Sequence, residues 1–362
     1  MISIKSISSI TDKGVRDTNE DFIIVPSSSE ESLQHIIVLC DGMGGHGHGE
    51  IASQTVAEAV VSYLCKVKKE EFTPVDLQYA INYAMECLNV ADIAINPLLE
   101  GPQPDINPQN LDEGETSYDD DKTPEYKPMG TTIVVVAINK MEILVGHAGD
   151  SRCYLYDTNG ALKFRTTDHS LVAQAVADGI LTEEEARTNS RKNIITRCLM
   201  ARKTCAELEF NTIKVDDNDM LLLCSDGVVD AMTDIQLGQV LIGQSTDKAV
   251  EIIADTCRAD SHDNFSAVLA LLKQDGTMTT IETIPGEQHN DCIKLKQEAP
   301  KICPRCFHTN DCNAKFCSDC GCNLILEPQQ GIKNRLVGFK NIVSAIVKPP
   351  FKHSFTNHSK KK

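Results

Sequence analysis

The chain has 362 residues, 41% of them apolar, and a formal charge of −17. That length suits one large domain or two smaller ones, and the apolar content supports a buried core. The negative balance argues against general nucleic-acid binding, the opening MISIKSISSI lacks the apolar core of a signal peptide, and no run of about 18 apolar residues suggests a membrane span.

Charge is uneven. Residues 328–362 carry eight Lys or Arg and no acid, which leaves −25 on the remainder. The fifteen cysteines read as reduced. Cys40, Cys87, Cys198 and Cys224 sit in apolar patterns, where a free thiol behaves as a small hydrophobe. Six others crowd into residues 303–322, a metal pattern rather than a disulfide framework.

In chain order, alternating Ile and Ser predict a first strand within residues 1–26, and Phe22 to Val25 a second. Residues 27–34 form a polar turn. Ile36 to Cys40 reads as a short buried strand. It ends at Asp41 and runs into a loop with five glycines, Gly42, Gly44, Gly45, Gly47 and Gly49. Helices are expected at about 50–66 and 74–95. Residues 97–128 hold six prolines and nine acids against two lysines and read as a flexible acidic insertion. A β-rich run, Ile133 to Ile138, follows. Two further strands flank the turn Gly146–Arg152, and their short connections suggest an antiparallel meander. A helix starts near Thr167–Ser170, capped by Asp168 or Ser170. A second, near 182–187, opens with Thr182 and Glu185 at capping-box spacing. Residues 220–224 form an apolar strand, helices fill about 234–258, and Phe265 to Leu272 is the last strand.

Three readings compete for the glycine loop. Gly42, Gly44 and Gly47 spell a dinucleotide fingerprint, but Asp41 would repel a pyrophosphate, and no acid ends a second strand where a ribose partner belongs. A plain surface turn needs no ligand. The third reading is a cation site, where an acid stands beside bare backbone. A recurrence favours it: Asp41-Gly42, Asp226-Gly227, Asp263-Asn264 and Glu20-Asp21 each sit at a strand boundary. Acids gathered at one rim raise each other's pKa. Hard divalent cations relieve that, and two of them sharing Asp41 would activate a water between them.

The segments GVRDTNEDF, LCDGMGGHGHGEIAS, MGTTIVVV, GHAGDSR, TTDHSLVAQAVADGILTEEEA, NIITRCL, LLLCSDGVVD and SHDNFSAVL resemble, in order, the protein phosphatase 2C (PPM) family of metal-dependent Ser/Thr phosphatases, in its bacterial form. They span about residues 1–273. The resemblance implies an α+β fold, a four-layer sandwich of two antiparallel sheets with helices outside. It implies two Mn2+ or Mg2+ ions, with Asp41 bridging them, Gly42 lending its carbonyl, Asp226 and Asp263 completing one site, and Glu20 or Asp21 serving the other. Asp150 would hold a weaker third ion, and Arg16 would grip the phosphate. Met43 stands where some members carry a histidine acid; His46 and His48 read as loop residues. Met200-Ala201 replaces a usual glycine, and His262 a small residue or proline.

Beyond a linker at 274–299, Cys303, Cys306, Cys317 and Cys320 form two CxxC knuckles. Their spacing suits one structural Zn2+ in a ribbon over 300–326. In the tail, 327–362, Ile332, Leu336, Phe339, Val343 and Ile346 make an apolar stripe flanked by basic residues. It could meet an acidic membrane surface, the catalytic domain or a partner helix. The functional expectation is a cytoplasmic phosphatase acting on phosphoproteins that a Ser/Thr kinase has modified. The alternative is a phosphatase-like scaffold that recruits partners through ribbon and tail.

Overall fold

In the computed structural model, the described residues are 1–26, 35–43, 48–67, 71–95, 128–203 and 206–274, with 301–302, 309–310 and 318 beyond them. The polar turn at 27–34, loop residues Gly44–Gly47 with His46, all but the last residue of the 97–128 insertion, the four knuckle cysteines and the basic tail lie outside the described residues.

The chain divides into two compact units, Met1–Met278 and Thr279–Lys362. The first opens with β1 (Ile2–Asp12), β2 (Asp21–Ile24) and β3 (Ile36–Met43), then α1 (Gly49–Val67) and α2 (Pro74–Ile95). β4 (Gly130–Thr131), β5 (Ile133–Ile138), β6 (Ile143–Ala148), β7 (Arg152–Tyr156) and β8 (Leu162–Arg165) follow. Next come α3 (Leu171–Ala177), α4 (Glu183–Thr188), β9 (Leu199–Met200), β10 (Glu209–Ile213) and β11 (Met220–Cys224). The unit ends with α5 (Asp226–Ala231), α6 (Asp234–Leu241), α7 (Thr246–Asp260) and β12 (Phe265–Gln274).

One sheet has the order β1-β12-β11-β7-β8; the other runs β10-β6-β5-β3-β4-β9, with β2 also on β3. All pairings are antiparallel. Side chains alternate across each strand. Leu221 and Leu223 therefore join Leu39, Val134, Val136, Cys153, Leu155 and Val268 between the sheets. Leu222 and Cys224 face the other way, onto Val228, Leu237, Leu241, Ile253 and Cys257 of α5–α7. On the far side α1 packs on β2 and β3, with α2 against α1. Covered on both faces, β5 is buried at every position, which is why it reads as an unbroken apolar run. Two sheets between two helical layers make the expected α+β sandwich.

The meander expectation needs correction. β5–β6 and β7–β8 are hairpins, but β6 and β7 belong to different sheets. The chain crosses between sheets at Gly149, whose φ of +117° is open to glycine. Connection length is blind to such a step. β8, β10 and α5 also escaped the sequence reading. The caps behaved as expected: Ser170 Oγ accepts from the Ala173 amide, and Thr182 and Glu185 form a capping box.

At the replaced glycine, the left-handed turn falls one residue later, on Arg202 (φ 66°). The strain is offset by α2. Arg202 Nε sits 2.6 Å from Asp92 Oδ2, and its amide donates to Asn89 Oδ1.

In the second unit, β13 (Lys301–Ile302) pairs antiparallel with β14 (Thr309–Asn310).

Candidate active site

The acids come together at one rim of the sandwich. Asp21 starts β2 and faces Asp41 across the β2–β3 ladder as its register partner. Asp41 closes the apolar run of β3. Asp226 is the first residue of α5, directly after β11. Asp263 precedes β12, and Asp150 lies in the step between the sheets. Each apolar strand carries its terminal acid to the rim because its own burial leaves no other register.

The cluster is electrostatically costly. Burial first, then Asp21, Asp226, Asp150 and Asp263, push Asp41 well above the ordinary carboxylate range. Asp226 is driven up by burial and by Asp150, Asp263 and Asp21. Burial raises Asp21 to about 6 and, with Asp168 adding to it, Asp150 to about 6. Ser225 Oγ donates to Asp21 Oδ2 at 2.7 Å, yet Asp21 Oδ1 and Asp150 Oδ1 are buried without a hydrogen-bond partner. Buried orphan oxygens are rare in folded proteins and call for an explanation. An oxygen-coordinated divalent cation supplies one, so the donor set fits such ions.

The surrounding backbone is held tightly. The Thr132 amide donates to the Asp41 carbonyl at 2.8 Å, and the Asp41 amide to Thr132 Oγ1 at 3.1 Å. Thr131 Oγ1 also donates to the Asp41 carbonyl, and Thr132 Oγ1 lies 2.8 Å from Ser151 Oγ, tying Asp41 to the neighbour of Asp150. Gly42 is required by space: a Cβ there would stand 2.1 Å from the Gly49 carbonyl oxygen. The Glu20 carboxylate rests against Gly49 beside Gly42, and burial and Glu50 raise its pKa. Asn264 is a clamp. Its Nδ2 donates to the Lys13 and Thr18 carbonyls, and its Oδ1 accepts from the Glu20 amide.

Arg16 stands at the mouth, 57% exposed. Nη2 lies 2.7 Å from Asp263 Oδ2, and Nε donates to the His262 carbonyl at 3.3 Å. A guanidinium has five donors, so others remain for an incoming anion. Arg152 grips both oxygens of Asp168 at 2.7 Å and so fixes the start of the segment leading to α3. His48 is a loop residue whose carbonyl starts α1 by accepting from Ala52.

The rim thus brings together Arg16, Glu20, Asp21, Asp41, Gly42, Asp150, Asp226 and Asp263. The sequence reading gave no role to Thr131, Thr132, Ser151, Ser225 or Asn264. All five lie inside the family-like segments MGTTIVVV, GHAGDSR, LLLCSDGVVD and SHDNFSAVL, the one signal that marks them.

A two-sheet sandwich whose rim gathers buried acids with orphan oxygens has the make-up of a divalent-cation-binding protein. The protein phosphatase 2C pattern matches residues 16–272, and the chain belongs to that family of protein phosphatases. It is similar to the serine/threonine phosphatase stp of Listeria welshimeri, 30% identical over 262 residues, 72% of this chain and 92% of the relative. Its fold resembles the Mycobacterium tuberculosis serine/threonine phosphatase PstP/Ppp, at 26% identity and a TM-score of 0.58 over 74% of this chain and 98% of the other. A structure of the PstP catalytic domain in complex with two manganese ions matches at 25% identity and a TM-score of 0.57, over 75% of this chain and 100% of the other.

Proposed function

We propose that the chain is a metal-dependent protein serine/threonine phosphatase whose substrates are phosphoproteins. The observation that carries this reading is the rim of six acids with two orphan buried oxygens, in a chain of the 2C family. Asp41 would be shared between two Mn2+ or Mg2+ ions, one of which Asp226 and Asp263 would help to hold and the other Glu20 with the Gly42 carbonyl. Asp21, held by Ser225, would add a further oxygen, and Asp150 would help to hold a weaker third ion. When bound, the cations supply charge neutralisation for the phosphoryl group and acidify the attacking water.

The chain's own residues do the rest. Arg16 directs its free donors at the phosphate oxygens, a planar match that lysine would not give. Its link to Asp263 keeps it at the mouth. Asn264 fixes the loop carrying Arg16 relative to Glu20. Thr131 and Thr132 hold the Asp41 backbone, so the bridging carboxylate is aimed before substrate arrives.

Phosphate release from a phosphothreonine peptide, with Mn2+ and with chelator, tests this reading. Release should require the metal; metal-independent release, or none, would refute it.

We further propose a zinc ribbon in the second unit, on the spacing of its cysteines. Strands Lys301–Ile302 and Thr309–Asn310 pair antiparallel, and Cys303 and Cys306 fall between them in sequence. Cys317 and Cys320 would complete four thiolates, with zinc supplying the stability that so small a segment lacks. Zinc content of the wild type against a Cys303→Ser, Cys306→Ser variant tests it; equal content would refute it. The corresponding organisation is a phosphatase domain at 1–273, a linker at 274–299, a ribbon at 300–326 and a basic tail at 327–362. Among the described residues no helix is long and apolar enough to cross a membrane.

A further inference from the structure

A second group of metal-ligating side chains lies close to the acid rim and has no part in the chemistry above. His147, in β6, is fully buried, and its Nε2 lies 2.9 Å from the Thr167 carbonyl. A ring nitrogen facing a carbonyl must carry the proton, so Nδ1 presents a lone pair. That Nδ1 is buried and has no hydrogen-bond partner. His169 stacks on His147 with ring centroids 4.6 Å apart. Glu209, on edge strand β10, is the register partner of His147, and its Oε2 lies 3.2 Å from His169 Nε2. One ring nitrogen from each histidine and one Glu209 oxygen all fall within 4.8 Å of one another. Burial lowers the His147 pKa, which favours the neutral ring that a metal ligand requires.

We propose that His147, His169 and Glu209 form a separate site for a borderline divalent ion such as Zn2+. Two imidazoles and a carboxylate make a zinc donor set that keeps one position open, softer than the all-oxygen rim. The Thr167 carbonyl is the outer partner that orients a ligating imidazole. A cavity of about 280 Å³, lined by Thr167, His169, Gln174, Thr196, Arg197 and Glu209 among others, reaches two of the three ligands. It provides the approach and room for a water in the fourth position.

Binding carries a structural consequence. Tetrahedral zinc holds its ligand atoms roughly 3.3 Å apart, so the trio must close by up to about 1.5 Å, and His169 must turn out of its stack. His169 Nδ1 now accepts from the Gly149 amide at 3.2 Å. A ring metallated at Nε2 keeps its single proton on Nδ1, transferred through solvent, and can no longer accept. Occupancy therefore releases the amide next to Asp150 and couples this site to the acid rim.

The test counts zinc per full-length chain after dialysis in saturating Mn2+, for wild type, Glu209→Gln and His169→Gln. Each variant should bind one zinc fewer than wild type. Zinc should raise the melting temperature of wild type more than that of either variant, by ligand linkage. Equal zinc content in wild type and both variants would overturn the site. Glu209 is 42% exposed, so Glu209→Gln decides the question even where His169→Gln fails to fold.

Discussion

Asp21→Asn separates the cost of the acid rim from its use. Burial holds Asp21 near 6 against an ordinary 3.8. An acid whose pKa folding raises contributes stability below its unfolded value and loses that contribution as pH rises through about 6. Integrating the proton balance between the two values gives a cost of about 3 kcal/mol at pH 7.5 and about half that at pH 5. Asparagine removes the charge and keeps an oxygen that accepts from Ser225 Oγ. Exchanging a charged acceptor for a neutral one gives back about 1 kcal/mol. In chelator at pH 7.5 the variant should therefore be more stable by about 2 kcal/mol, or about 4–8 °C in melting temperature for a domain of this size. The advantage should shrink toward pH 5 and reverse when Mn2+ stabilises the wild type. Calorimetric melts in chelator and in Mn2+, at both pH values, read each quantity. No gain in chelator, or a gain equal at the two pH values, would refute the electrostatic account.

Gly42→Ala places a methyl 2.1 Å from the Gly49 carbonyl oxygen; overpacking of this kind costs about 1–3 kcal/mol and should weaken Mn2+ activation at least about tenfold, as read by melts and Mn2+ titration. Asn264→Ala removes three hydrogen bonds that hold the Arg16–Glu20 loop; urea unfolding should show a loss of about 2–4 kcal/mol, and the KM for a phosphopeptide should rise. Asp21 and Asp150 both lie near 6, so protons compete with the metal below that pH: Mn2+ affinity should fall from pH 7 to pH 5, and calorimetry at pH 6 in buffers of different ionisation enthalpy should detect proton release.

Glu20, Asp21, Asp41, Asp226 and Asp263 were legible because each ends or begins an apolar strand, so the pattern that gives the strand also locates its acid; Asp150 was legible only through the family resemblance of its GDSR turn. The glycine after Asp41 was legible for the same reason. The residues that aim the acids were not. Thr131, Thr132, Ser151 and Ser225 are small polar groups whose partners are far apart in sequence, and no periodicity marks them. β8 (LKFR) and β10 (EFNTI) are edge strands with mixed polarity, placed by pairing rather than by their own pattern. The helix at Asp226 is only six residues long, too short to show a period. The His147–Glu209 pair depends on β-register between strands some sixty residues apart, which sequence spacing does not reveal.

The central claim is that the acid rim holds the catalytic cations with Asp41 shared between them. Calorimetric titration of Mn2+ into wild type and Asp41→Asn, with phosphopeptide hydrolysis followed on the same samples, tests it most directly. Wild type should bind two Mn2+ at the rim, with activity tracking occupancy, and Asp41→Asn should lose both ions and the activity together. An Asp41→Asn variant that still binds two ions and turns over would contradict it.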